Sequence, residues 1–159
     1  MASIREYRTD DLDAVLRLSI EAWAPNFASI REILGDELDR LQHGDDWRDY
    51  QRASVERTLE TANAAWVAEA DGMVAGFVTV GMVPNEPIGE IVMIAVAPGE
   101  QRKGIARQLI ETAERWLRDA GVPVVMIQTG GDPGHEPARR AYEDAGYTLM
   151  PAAQYFKAL

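Results

Sequence analysis

In the run EQRKGIARQLIE, residues 100 to 111, three cations, Arg102, Lys103 and Arg107, surround Gly104 where an apolar-periodic stretch begins. Helix starts ordinarily carry carboxylates, because the first turn has unpaired N–H groups and roughly half a positive charge. The chain has a formal net charge of −10, so cations at this one helix start point to an anionic ligand. A row of backbone N–H groups at the end of a strand and the start of a helix binds phosphate oxygens. Gly104 has no Cβ and lets an anion approach the backbone, and Ala106 keeps the next turn narrow. The three cations add mobile charge at the rim. The plainer alternative is a helix with a solvated basic first turn. No Gly-Lys-Ser/Thr follows, which argues against nucleoside triphosphate hydrolysis, and no GxGxxG follows a first strand, which argues against a dinucleotide fold. The pattern predicts the pyrophosphate of another ligand.

Other chemistries are narrowed by composition. The sequence has no cysteine, so it predicts no disulfide, no thiolate metal site and no Cys acyl-enzyme. Its histidines, His43 and His135, have no partner at metal-ligand spacing, and no serine sits in a G-x-S-x-G elbow. No metal is expected. With 26 Asp+Glu against 16 Lys+Arg, the chain is a poor match for nucleic acid and suits a cationic partner, although surplus surface acid also serves solubility. No run approaches the roughly 18 apolar residues of a membrane span, and MASIREYRTDD has no apolar stretch behind a basic start. The reading is a soluble, cytoplasmic protein without a membrane partner.

The elements that must hold the basic turn follow from periodicity. A chain of 159 residues, 47% hydrophobic, suits one core, read as a single domain over 1–159. SIREYR alternates as a short strand, and TDDLDAVLRLSIEAW places Leu12, Val15, Leu16, Ile20 and Trp23 at near-helical spacing behind a Thr9/Asp10 cap. Residues 28 to 62 predict two further helices, with Leu34, Leu38 and Leu41 on one face and a break near HGDD. AAWVAEADGMVAGFVTVG predicts a β-hairpin turning at Asp71-Gly72. GEIVMIAVAP reads as a buried central strand closed by Pro98. From Ile105, the residues Leu109, Ile110, Ala113, Trp116 and Leu117 recur at helical spacing until Gly121. PVVMIQT then predicts a strand, PARRAYEDAG a short helix ended by Gly146, and YTLMPAAQYFKAL a last strand pair or edge. The fold class is α/β, a mixed sheet with helices on both faces.

The run QRKGIA behind the strand EIVMIAVAP resembles the Q/R-x-x-G-x-G/A signature of the GNAT superfamily of N-acetyltransferases. ARRAYEDAGY, followed by YFKAL, resembles a second element of that superfamily, with Tyr147 where Phe is more usual. The likeness in element order covers nearly the whole chain. It implies a single-domain acyl-CoA N-acyltransferase fold with a mixed, mostly antiparallel sheet. It also implies acetyl-CoA as co-substrate, its pyrophosphate held by Gln101, Arg102, Lys103, Gly104, Ile105, Ala106 and Arg107. In the family neighbouring central strands splay apart, which places Ile94, Ala95 and Val96 against the pantetheine arm. Ala106 replaces the commoner second glycine, and His135 stands seven positions before Tyr142 where many members have Asn.

Acetyl transfer to an amine requires a neutral amine, a donor to the developing oxyanion and an acid for the leaving thiolate. The resemblance makes Glu90, eleven residues before Gln101, the candidate general base; otherwise it is a strand-end carboxylate in water. It makes Tyr142 the acid, since a tyrosine pKa of about 10 exceeds a thiol's of about 8.5; otherwise Tyr142 is a core tyrosine. His135 can bond the pantetheine, contact the acceptor or cap the next helix, and is placed with Arg139 beside the cofactor. By elimination of covalent routes, the amine attacks directly in a ternary complex. The acceptor, a cationic small-molecule or peptide amine, would lie near Trp23, Phe27, the DELDRLQHGDDWRDY segment and Tyr155. Asp36, Glu37, Asp45, Asp46 and Asp49 would attract it. A second copy of the chain is left open as a partner. Two rival readings are a non-catalytic acyl-CoA-binding module and an anion-binding interaction domain without cofactor.

Overall fold

Asp71 and Gly72 both take positive φ, 50° and 75°, as a tight hairpin demands. They join β2 (Ala64–Ala70) to β3 (Met73–Met82), so the expected hairpin is present in this computed structural model, which describes residues 2–159. The sheet order is β1-β2-β3-β4-β5, with β1 at Ser3–Glu6, β4 at Ile88–Val96 and β5 at Val124–Ile127. The first three pairings are antiparallel and β4–β5 is parallel. Of the helices, α1 is Leu12–His43, α2 Trp47–Thr61, α3 Ile105–Asp119 and α4 Glu136–Asp144.

The continuous apolar run of β4 has its predicted cause, since both faces of the sheet are covered. On one face Val67, Phe77 and Ala95 pack with Val15 and Leu18 of α1 and Val55 of α2. On the other, Val78, Val80 and Ile91 pack with Leu109, Ile110, Ala113 and Leu117 of α3. β1 is fastened to the start of α1 by Arg5, whose guanidinium donates two 2.8 Å bonds to Asp11 and one, also 2.8 Å, to Glu69.

Two sequence expectations change. The first helix does not stop after Trp23 but continues through Pro25 to His43, interrupted only at Gly35, whose φ of 79° and ψ of 164° are non-helical. Packing overrides the local proline signal here. Phe27 and His43 are sixteen residues apart, yet their rings lie 5.1 Å apart; an unbroken helix would separate them by about 24 Å. Gly35 therefore folds residues 36–43 back toward 12–34. The second correction concerns residues 147–159, which form no strand. Pro151 lacks a ladder donor and the intervening PAAQ has little β propensity. Met150 and Tyr155 are 88% and 94% exposed.

Candidate functional site

The sheet opens at one place. β4 and β5 pair from Ile88↔Val124 to Ile91↔Ile127 and no further, although β4 continues to Val96 against β3. The parting follows a β-bulge: Thr79 faces Met93 and Val80 faces Ile91, so Val92 is the extra residue. Thr79 Oγ1 accepts the Met93 N–H at 3.1 Å. A bulge bends its strand and sharpens the local twist, which turns the upper half of β4 away from β5.

The register identifies which backbone groups face the gap. Met93 N–H bonds Thr79 and Ala97 N–H bonds Ala75 O, so the odd residues point to β3. Ile94 and Val96 point to the β5 side. Val96 O is taken by Gln101 Nε2 at 3.1 Å, which leaves both backbone groups of Ile94 and the N–H of Val96 toward the gap. Ala95, expected with its neighbours, places its backbone in the β3 ladder opposite Phe77 and is buried on the α1 side.

The strand leads directly into the basic turn. Gly104 has φ 83° and is the N-cap of α3, and Arg102 is also left-handed at φ 63°. The first α3 bond runs from Gln108 N–H to Gly104 O at 3.1 Å, so the N–H groups of Gly104, Ile105, Ala106 and Arg107 precede it. A Cβ on Gly104 would meet no protein atom within 4 Å: the concave side of the turn is open. Ile105 is buried beneath it while Gln101, Arg102, Lys103 and Arg107 are exposed. Lys103 pairs with Glu100 at 3.1 Å and Arg107 with Glu111 at 2.8 Å. Arg102 has no ion pair among the described residues. These backbone donors and rim cations suit a pyrophosphate.

Glu90 and Tyr142 lie on opposite sides of the sheet. A Cβ on Gly89 would come within 2.5 Å of Leu117 on α3, and Ile91 belongs to the α3-side core. Alternation therefore turns Glu90 to the face of α1 and α2. It is half-buried, and burial raises its carboxyl pKa, the direction a base for an ammonium needs. Tyr142 packs against the α3-side core, and burial pushes its hydroxyl up to about 12. Its hydroxyl has no hydrogen-bond partner among the described residues. Tyr147, 6.4 Å away between ring centroids, instead donates to Glu114 at 2.9 Å.

Sequence reasoning missed the residues that organise His135. Its Nδ1 bonds the Asp132 carboxylate, whose other oxygen accepts the Ser29 hydroxyl of α1 at 2.6 Å. His135 begins α4 without a side-chain cap bond. Arg139 donates to Gly130 O and Asp132 O at 2.6 and 2.8 Å, closing the loop rather than standing free. The only sequence signal was the Asp-Pro-Gly-His spacing; the Ser29 contact spans 103 residues and no local pattern contains it.

In the expected acceptor region Phe27 stacks on Trp47 at 4.5 Å, with His43 and Tyr50 edge-on around them. Trp23 lies 6.4 Å from Phe77. Asp36, Asp46 and Asp49 are paired with Arg31, Arg48 and Arg52. A concavity of about 340 Å³ at the Gly35 corner is lined by Asp36, Glu37, Asp39, Asp45 and Trp47 with Arg31, Arg40 and Gly44.

A parted sheet whose central strand ends in an open, basic helix start is the arrangement of a CoA-dependent acyltransferase, and the chain belongs to the acetyltransferase (GNAT) family, whose sequence profile matches residues 23–147. Among curated proteins it is similar to mycothiol acetyltransferase of Acidothermus cellulolyticus, 31% identical over 148 residues, 91% of this chain and 44% of that protein. The enzyme of that name from Thermomonospora curvata is 39% identical over 83 residues, 52% of this chain and 27% of that one. The chain thus spans less than half the length of these relatives. Its fold is similar to that of the aminoglycoside N-acetyltransferase AAC(6')-Iy in complex with CoA, at a TM-score of 0.62 and 19% identity over 99% of this chain and 95% of that one. It is also similar to PaiA N-acetyltransferase of Thermoplasma acidophilum in complex with coenzyme A, at 0.63 and 16% over 91% and 88%. Among the described residues no helix is long and apolar enough to cross a membrane, and no group of three metal-ligating side chains occurs.

Proposed function

We propose that this protein uses cytoplasmic acetyl-CoA to acetylate an amine of a small molecule or peptide by direct attack in a ternary complex. One observation carries the reading: β4 parts from β5 above Ile91↔Ile127 and its free upper half leads, through Val96 and the residues that follow, into the open turn at Gly104. An elongated thioester with a pyrophosphate at one end fits that path. The N–H groups of Gly104 to Arg107 would hold the phosphates, with Arg102 and Lys103 at the rim, and Ile94 and Val96 would bond the pantetheine arm.

Glu90, raised by burial and facing α1 and α2, would take a proton from the incoming ammonium. Tyr142, on the α3 side, would donate to the leaving sulfur; a pKa near 12 keeps its hydroxyl protonated at neutral pH, so the proton is in place when the C–S bond breaks. Placing the base and the acid on opposite faces separates the entering nitrogen from the departing sulfur. The aromatic cluster at Phe27 and Trp47, with the acids of the Gly35 corner, supports a cationic acceptor. The names of the relatives and structural neighbours, mycothiol acetyltransferase and aminoglycoside N-acetyltransferase, point the same way, toward an amine on a polar small molecule.

The test is thiol release from acetyl-CoA across an amine panel, with acetyl-CoA affinity measured by calorimetry. Turnover on an amine is the expected result. Tight binding without turnover on any amine would favour a non-catalytic acyl-CoA module, and no binding of any CoA species would refute both.

A further inference from the structure

Asp132, in the loop after β5, gathers three donors. Oδ1 faces His135 Nδ1; Oδ2 accepts the Ser29 hydroxyl at 2.6 Å and the Gly134 N–H at 3.1 Å. Burial pushes the carboxyl up, but the Ser29 bond and the adjacent imidazole outweigh it and hold the carboxyl below its ordinary value. An ionised carboxylate only accepts, so the shared proton belongs to Nδ1, and whenever the ring is neutral its lone pair lies on Nε2. Nε2 has no hydrogen-bond partner among the described residues, and it is not sealed from solvent. The two side chains are otherwise well enclosed, 13% and 11% exposed. A histidine oriented this tightly with one nitrogen left open is built to move a proton rather than to cap a helix.

Its position in the fold says whose proton. α1 crosses the gap: Trp23 packs on Phe77, which pairs with Ala95 on the β4 side, and Ser29 binds the loop that leaves β5. His135 therefore stands at the β5 side of the opening, next to α1, on the face toward which Glu90 turns. Tyr142 belongs to the opposite, α3-side core.

We infer that His135 is a second proton-transfer group for the acceptor amine, with Asp132 as its positioning residue; this rests on the N-acetyltransferase reading above. An ammonium must lose two protons to become an amide N–H, and Glu90 accepts one. As the C–N bond forms and the C–S bond breaks, the amine nitrogen gives its second proton to Nε2 while the leaving sulfur takes the Tyr142 proton. One of the two collected protons returns through water to the Tyr142 oxygen and the other leaves to solvent, so the products are amide, thiol and one proton. The charged groups around the imidazole are Asp132 from its own loop and, from α4, Arg139 and Glu136, the latter paired with Arg140 at 2.6 Å. From α1 it is met by the Ser29–Asp132 bond.

The test is chemical rescue in the full chain, with kanamycin, glucosamine and spermidine as acceptors and acetyl-CoA affinity measured by calorimetry. His135→Ala should lower kcat by roughly 10²-fold with acetyl-CoA affinity nearly unchanged, and added imidazole should restore turnover in proportion to its unprotonated fraction. Asp132→Asn should lower kcat by about tenfold, the smaller loss expected when a base is mis-oriented rather than removed, and nitrogen NMR should show the single Nδ1–H tautomer replaced by a mixture. Should the alanine variant fail to fold, His135→Asn preserves bulk and a donor while lacking the basic nitrogen, and should show the same loss. A defect confined to acetyl-CoA affinity, with kcat kept at saturation, would make His135 a cofactor contact and overturn the proposal. So would a loss that imidazole does not restore. Wild-type protein that binds acetyl-CoA but acetylates no amine would overturn the underlying acetyltransferase reading instead.

Discussion

Replacing Gly104 separates the shape of the phosphate cradle from its charge. An L-residue at φ 83° is strained by about 1–2 kcal/mol, so Gly104→Ala should lower Tm by roughly 2 to 8 °C for a chain of this size. Its Cβ meets no protein atom within 4 Å, so the side chain itself costs the free protein no clash. The larger penalty falls on the ligand, since that volume lies over the N–H groups of the first α3 turn. Losing two charge-assisted hydrogen bonds there, about 1.5–3 kcal/mol each, weakens acetyl-CoA by at least about 10²-fold, and Gly104→Val should abolish binding. Lys103 is 58% exposed and already paired with Glu100, so Lys103→Ala should weaken binding by no more than about fivefold. Calorimetry with acetyl-CoA and with S-acetylpantetheine, which lacks the pyrophosphate, decides the matter. Equal losses for the glycine and lysine variants, or a Gly104→Val defect as large for S-acetylpantetheine as for acetyl-CoA, would refute the cradle.

Three further outcomes follow from the site and its supports. Tyr142→Phe should lower kcat by roughly 10²-fold or more at nearly constant acetyl-CoA affinity, because the hydroxyl acts only in the transition state; pre-steady-state measurement of the transfer step checks this even if product release limits turnover. Glu90 has its pKa raised by burial and serves as a base only when ionised, so kcat/KM should rise as pH passes upward through that raised value. Glu90→Gln should remove this acidic limb and recover part of its rate at high pH, where the amine is already neutral. Asp11 is held below the ordinary carboxylate value first by the Arg5 hydrogen bonds. Its contribution, about 2 kcal/mol, is therefore full above the unfolded pKa and is lost as pH falls through the folded one; urea unfolding of Asp11→Asn against pH should lack that loss.

Periodicity and turn chemistry determined much of this protein without any coordinates. The Asp71-Gly72 hairpin, the doubly buried β4 and the amphipathic α3 were legible because each is dictated by residues close in sequence: positive-φ tolerance, an unbroken apolar run, a 3.6-residue repeat. The basic turn at Gly104 was legible for the same reason, as its donors are consecutive backbone groups. Tertiary structure decided the rest. The face taken by Glu90 depends on Gly89 lying against Leu117, and the opening of the sheet depends on the bulge at Val92, which strand alternation alone does not reveal. The terminal YTLMPAAQYFKAL carries apolar residues that suggested strands, yet no partner strand supplies its ladder bonds. Above all, Ser29 meets Asp132 across 103 residues. The orientation of His135 is set by that long-range contact, and a hydrogen bond between segments so far apart exists only once α1 and the β5 loop have been packed side by side.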